Sequence, residues 1–150
     1  MPKTLGYMLT WTTYGTWLQG DKRRYVKKGT ILPPNENLLK ANKTSQAYKT
    51  VRLSTPQRNL VRTAIIQQAK VINQRLLAVV VCSNHIHLVG GYIHQPLEKV
   101  VACYKKAARL ALKDEGHTGR LWTKGYDKRF CFDENSLERR INYVQNHNPA

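Results

Sequence analysis

Two apolar runs separated by three polar residues constrain this chain most. Leu76 to Cys82 and Ile86 to Tyr92 are rich in β-forming residues, and only Ser83-Asn84 and His85 come between them. Two such runs joined by so short a connection predict a β-hairpin, with His85 at the start of its second strand. Successive strand residues point to opposite faces, so His85 and His87 emerge on the same side, about 7 Å apart along the backbone. Neutral imidazole is a common metal ligand, and two on one rigid strand lose little entropy on binding an ion. A His-x-His pair in a sheet is also often just two satisfied or exposed histidines, so the motif alone leaves both readings open.

The rest of the chain supplies an α+β order. Gly6 to Thr13 alternates and favours β structure. Ser54-Thr55-Pro56-Gln57 has the form of a capping box with an early proline, and Leu60, Val61, Ala64, Ile65, Ala69 and Ile72 follow at helical spacing to about Arg75. Pro96 opens a second helix with Leu97, Val100, Val101, Tyr104, Ala108 and Leu112 on one face, ended by Gly116 and Gly119. Leu121-Trp122 and the alternating Lys128 to Phe132 predict a fourth strand, and Asn135-Ser136-Leu137-Glu138 starts a last helix reaching about Asn146. Strand–helix–strand–strand–helix–strand–helix is the order of a ferredoxin-like antiparallel sheet (βαββαβ) with an appended C-terminal helix. Residues 1–150 read as a single domain, with 14–53 a long, basic, irregular insertion punctuated by glycine and proline.

Charge narrows the partners. Lysine and arginine number 25 against 9 acidic residues, a net charge of +16. Residues 1–75 hold 14 of the basic and 2 of the acidic side chains. That field fits a polyanion, nucleic acid above all, although a merely solubilising surface has the same composition. Lys22, Arg23, Arg24, Lys27 and Lys28 are placed to grip phosphates. Trp11, Tyr14, Trp17 and Tyr25 are candidates for stacking on unpaired bases, with core packing equally open for Trp11 and Trp17. No apolar stretch reaches membrane-spanning length, and no amphipathic terminal helix concentrates the basic residues. Cys82, Cys103 and Cys131 are odd in number and widely spaced, and read as reduced core residues of a cytoplasmic protein. No C-x-x-C pair offers a cysteine-based zinc site.

Tyr143 and His147 stand four apart on the last helix, hence on one face. If that face packs on the sheet beside His85 and His87, His147 becomes a third imidazole ligand and Tyr143 a hydroxyl nucleophile beside the metal. By periodicity alone Tyr143 is equally a packing residue. A phenol of pKa about 10 attacks poorly at neutral pH, and a cation that neutralises developing charge offsets this.

The sequence resembles the single-tyrosine HUH transposases, most closely the REP-associated tyrosine transposases. The matching pieces are Thr10-Trp11-Thr12-Thr13-Tyr14-Gly15-Thr16-Trp17-Leu18, Ser83-Asn84-His85-Ile86-His87-Leu88-Val89, Leu121-Trp122 with Gly125-Tyr126, and Tyr143-Val144-Gln145-Asn146-His147-Asn148-Pro149, in family order along nearly the whole chain. The resemblance implies a metal-dependent single-stranded DNA endonuclease and strand transferase acting near DNA hairpins, as monomer or homodimer. It implies His85 and His87 as the histidine pair, His147 (with Asn148 as substitute) completing the metal site, and Tyr143 as the nucleophile joined to the 5′ phosphate. By ligand softness three imidazoles favour zinc, manganese or nickel over magnesium, while the resemblance implies magnesium or manganese, with manganese ahead and released below about pH 6 as the imidazoles protonate. The alternative is a non-catalytic basic ferredoxin-like domain that binds structured DNA or RNA.

Overall fold

In the computed structural model, residues 3–16 and 50–149 are described. Strands β1 (Gly6–Thr12), β2 (Leu76–Val81), β3 (His85–Gly91) and β4 (Asp127–Cys131) form one antiparallel sheet in the order β2-β3-β1-β4. Helices α1 (Thr55–Val71) and α2 (Leu97–Asp114) follow β1 and β3, and α3 (Glu134–Gln145) follows β4. This is the expected ferredoxin-like sheet with its appended helix.

The two sheet faces have different jobs. Tyr7, Leu9, Trp11, Ile86 and Leu88 point into the main core with Val61, Ile65 and Ala69 of α1 and Val100, Val101, Tyr104, Ala108 and Leu112 of α2. Met8, Ala78 and Val89 point the other way and meet Val144, Leu137 and Ile141 of α3. Leu137, Ile141 and Val144 lie at i, i+4 and i+7, the stripe with which a helix covers a sheet. His85 and His87 share the parity of Val89, so both emerge on the α3 face. The β1–β3 register sets Thr10 opposite His87 and Thr12 opposite His85.

Helix boundaries follow local chemistry. At the start of α1 the Gln57 amide donates to Ser54 Oγ at 3.3 Å, and the Ser54 amide donates to Gln57 Oε1 at 2.9 Å. That is the capping box expected. The helix stops at Val71, not Arg75, because Asn73 turns left-handed (φ 57°) and the Gln74 amide donates back to the Ala69 carbonyl at 2.8 Å. Gln74 is then buried, donating to Tyr7 Oη at 2.7 Å and to the Gly91 carbonyl at 2.8 Å while accepting from the Tyr104 hydroxyl at 2.6 Å. A Cβ on Gly90 would stand 2.6 Å from Gln74 Nε2, so a side chain there would displace the Gln74 amide from these bonds. The last helix is capped by Asp133, whose carboxylate accepts from the Ser136 amide at 2.7 Å. The cap therefore lies two residues before the Asn135 expected from sequence.

The basic insertion is pinched at its base. The Val51 amide donates to the Tyr14 carbonyl at 2.9 Å, and Thr13 Oγ1 donates to the Val51 carbonyl at 2.6 Å. The chain therefore returns at residue 51 to the point it left at residue 14. Trp17, Lys22, Arg23, Arg24, Tyr25, Lys27 and Lys28 lie outside the described residues.

Candidate metal centre and nucleophile

Three imidazoles and a phenol gather where α3 ends over β3. The ring centroids of His85 and His87 are 4.8 Å apart, those of His87 and His147 4.6 Å, and those of His85 and His147 5.2 Å. His85 Nε2 and His147 Nε2 face each other at 3.1 Å. The Tyr143 ring lies 5.5 Å from His87 and 5.3 Å from His147. Helix α3 holds this arrangement because Val144, 1 % exposed, anchors it to the sheet, which leaves the neighbouring Tyr143 half-exposed at the rim. His147 lies beyond the end of α3 and is not a helical residue. A tight turn, closed by its amide donating to the Val144 carbonyl at 3.2 Å, brings its ring back beside Tyr143.

Hydrogen bonds orient the strand histidines. His85 Nδ1–H donates to Asn84 Oδ1 at 2.7 Å, because a side-chain carbonyl can only accept. Its Nε2 therefore carries a lone pair. His87 Nδ1 shares a 2.8 Å hydrogen bond with the Thr10 hydroxyl, leaving Nε2 for a ligand. Metal-binding histidines are commonly held in this way, by an oxygen on the nitrogen away from the ion. Thr10 and Asn84 thus fix the orientation of the two strand rings. Thr10 could have been found as the cross-strand neighbour of His87.

Burial keeps the strand imidazoles uncharged. Burial, then the charges that His85 and His147 would carry, bring the His87 imidazole down to about 3. Burial followed by His147 lowers His85 as well. Both rings are thus unprotonated at neutral pH, with lone pairs available. Two nitrogens, each about 2.1 Å from a shared ion, stand about 3.0–3.4 Å apart for angles between 90° and 109°. The His85–His147 separation of 3.1 Å falls in that interval. A thiol joins them: the ligand atoms of Cys82, His85 and His147 all lie within 4.8 Å of one another. The donor set fits a divalent metal ion.

Trp11 is corrected by its surroundings. It is fully buried, stacked on Tyr104 at 6.5 Å and edge-on to Trp122 at 6.1 Å. Stacking on a base yields about 1–3 kcal/mol, whereas removing a tryptophan from a core costs about 3–5 kcal/mol. Of the two readings open from the sequence, core packing is the one the surroundings of Trp11 fit. Tyr14 is partly exposed beside the site end of β1, with the Arg120 guanidinium 5.2 Å from its ring centroid. Among the described residues, no helix is long and apolar enough to cross a membrane.

Fold and cluster together define a ferredoxin-like α+β domain with a histidine centre on one sheet face and a tyrosine at its rim. That fold is found in a solved REP-associated tyrosine transposase bound to a REP hairpin, matched with a TM-score of 0.57 at 13 % identity over 96 % of this chain and 67 % of that one. A candidate transposase from Deinococcus radiodurans R1 is matched with a TM-score of 0.46 at 16 % identity, over 100 % of this chain and 95 % of that one. No protein-family model and no curated protein matches the sequence.

Proposed function

We propose that this protein is a transposase-type DNA enzyme, a metal-dependent endonuclease and strand transferase acting on single-stranded DNA beside hairpins. The observation that carries the reading is the Tyr143 phenol at the open rim of the cluster, with His87 and His147 rings 5.5 and 5.3 Å away. The net charge of +16 supplies the attraction for a polyanion. The solved transposase of the same fold is bound to a hairpin, which supports the same class of substrate here.

His85, His87 and His147 would hold the ion, with Asn84 and Thr10 fixing the two strand rings. Magnesium or manganese, when bound, neutralises charge developing on the scissile phosphate. Tyr143 Oη attacks the phosphorus and gives up its proton. The bond from phosphorus to the 3′ oxygen breaks, and that oxygen leaves as a hydroxyl after taking a proton. The 5′ phosphate stays on Tyr143, so the bond energy is kept for transfer to a second 3′ hydroxyl. A half-exposed nucleophile suits a polymeric substrate, which can reach the rim but not the core.

Incubation with hairpin-bearing single-stranded DNA and manganese, followed by a denaturing gel, tests the reading. A protein–DNA adduct is expected, and none when a chelator is present from the start. Hairpin binding with no adduct in manganese or in magnesium would instead leave the non-catalytic binding domain.

A further inference from the structure

Cys82 directly follows β2, fully buried, with its thiol beside the His85 and His147 rings. Its amide donates to the His85 carbonyl at 2.8 Å, which closes the turn Cys82-Ser83-Asn84-His85. Its thiol lies 3.7 Å from the Asn148 carbonyl, one residue past His147. The sulfur is thus held between the two segments that carry His85 and His147. The cleavage chemistry proposed above has no use for it, since magnesium and manganese favour oxygen ligands over thiolate. The sequence carries the signal as C-x-x-H, a short spacing that a search for paired cysteines overlooks.

We propose that Cys82 is a metal ligand and that this site binds zinc through Cys82 Sγ, His85 Nε2 and His147 Nε2, in competition with the ion that supports cleavage. The proposal rests on reading the cluster as a metal centre. Two imidazoles and a thiolate are a donor set that zinc and cobalt(II) take readily. In a tetrahedral site, sulfur and nitrogen donors stand about 3.6 Å apart. Donor atoms within 4.8 Å of one another close to that spacing by a side-chain shift of about 1 Å. As the metal–sulfur bond forms, the thiol proton is released to solvent. Because His85 and His147 serve both ions, only one ion occupies the site at a time, and zinc suppresses manganese-dependent cleavage.

Cobalt(II) titration of the full chain reads the ligand directly. One equivalent is expected to produce a near-ultraviolet thiolate-to-cobalt band, and one equivalent of zinc is expected to abolish it. Cys82→Ser and, as an independent variant of different polarity, Cys82→Ala should both lose the band and bind zinc at least tenfold more weakly, with a smaller change for manganese. Cys103→Ser should keep the band. Cobalt binding to the unaltered chain without a thiolate band, or a band that survives both Cys82 substitutions, overturns the proposal while the metal centre stands. If neither cobalt nor manganese binds, the metal-centre reading falls with it.

Discussion

His85 Nε2 and His147 Nε2 face each other at 3.1 Å across the gap between a strand and the turn after the last helix, 62 residues apart in sequence. Asn84 holds the proton of His85 on the far nitrogen, so the close approach presents a lone pair and not a second donor. His85→Ala should therefore remove manganese binding and adduct formation together, as should His87→Ala. Calorimetry returning an unchanged manganese affinity for both variants would defeat the site. His147→Ala should do less harm, since a neighbouring residue or water can take the vacated position.

Thr10 offers a finer test of the same centre. Thr10→Val keeps the shape of the side chain and deletes the hydroxyl that engages His87 Nδ1. Losing such an oxygen typically costs 10–100-fold in metal affinity or activity. A loss in that range for manganese is expected, with the far-ultraviolet spectrum unchanged. Affinity equal to that of the unaltered chain would mean that packing alone orients His87.

Tyr143→Phe removes only a hydroxyl from a side chain that is 49 % exposed, so folding should be unaffected. Adduct formation should vanish while hairpin affinity stays within about twofold. Undiminished adduct in this variant would exclude Tyr143 as the attacking group.

Much of this was legible in the sequence because the determinants are local. The Ser54–Gln57 box, the α2 stripe from Val100 to Leu112 and the parity of His85 and His87 depend on residues a few positions apart. What escaped depends on pairing between distant segments. Thr10 reaches His87 only through the β1–β3 register, and Cys82 meets His147 only after α3 docks on the sheet. Trp11 reads as core or as DNA contact until Tyr104 and Trp122 close around it. Helix ends differ from the sequence expectation where a single residue decides them, Asn73 by turning left-handed and Asp133 by capping two positions before Asn135.

The pH dependence follows from the buried strand histidines. Ordinary imidazoles would release manganese below about pH 6, but the lowering of His85, and of His87 to about 3, moves that loss to lower pH. Stability in chelator has a definite sign. Between about pH 6.5 and 3 the unfolded chain protonates His87 and the folded chain does not, so the unfolded state binds more protons and stability falls as pH falls through that window. Above pH 6.5 this group contributes no slope. Urea midpoints from pH 7 to 4.5 should decline more steeply for the unaltered chain than for His87→Gln, which takes up no proton. Parallel declines would mean that His87 is not held neutral by its burial.

The basic insertion makes a prediction independent of the metal. Binding to single strands weakens with salt at roughly −0.7 log units per log unit of salt for each phosphate neutralised. Lys22, Arg23, Arg24, Lys27 and Lys28 belong to a segment whose two ends meet at Tyr14 and Val51, about one strand pairing away from His85. Replacing all five with alanine should flatten the salt slope by roughly 3.5 units, if each engages one phosphate. Affinity should fall alike for all sequences, since phosphate contacts position without reading bases. A loss confined to hairpins, with single-strand binding intact, would assign the segment to shape recognition. An unchanged slope would make it a solvated surface and move the search for the DNA-binding face to the exposed basic residues of α2 and of the turn that carries Arg120.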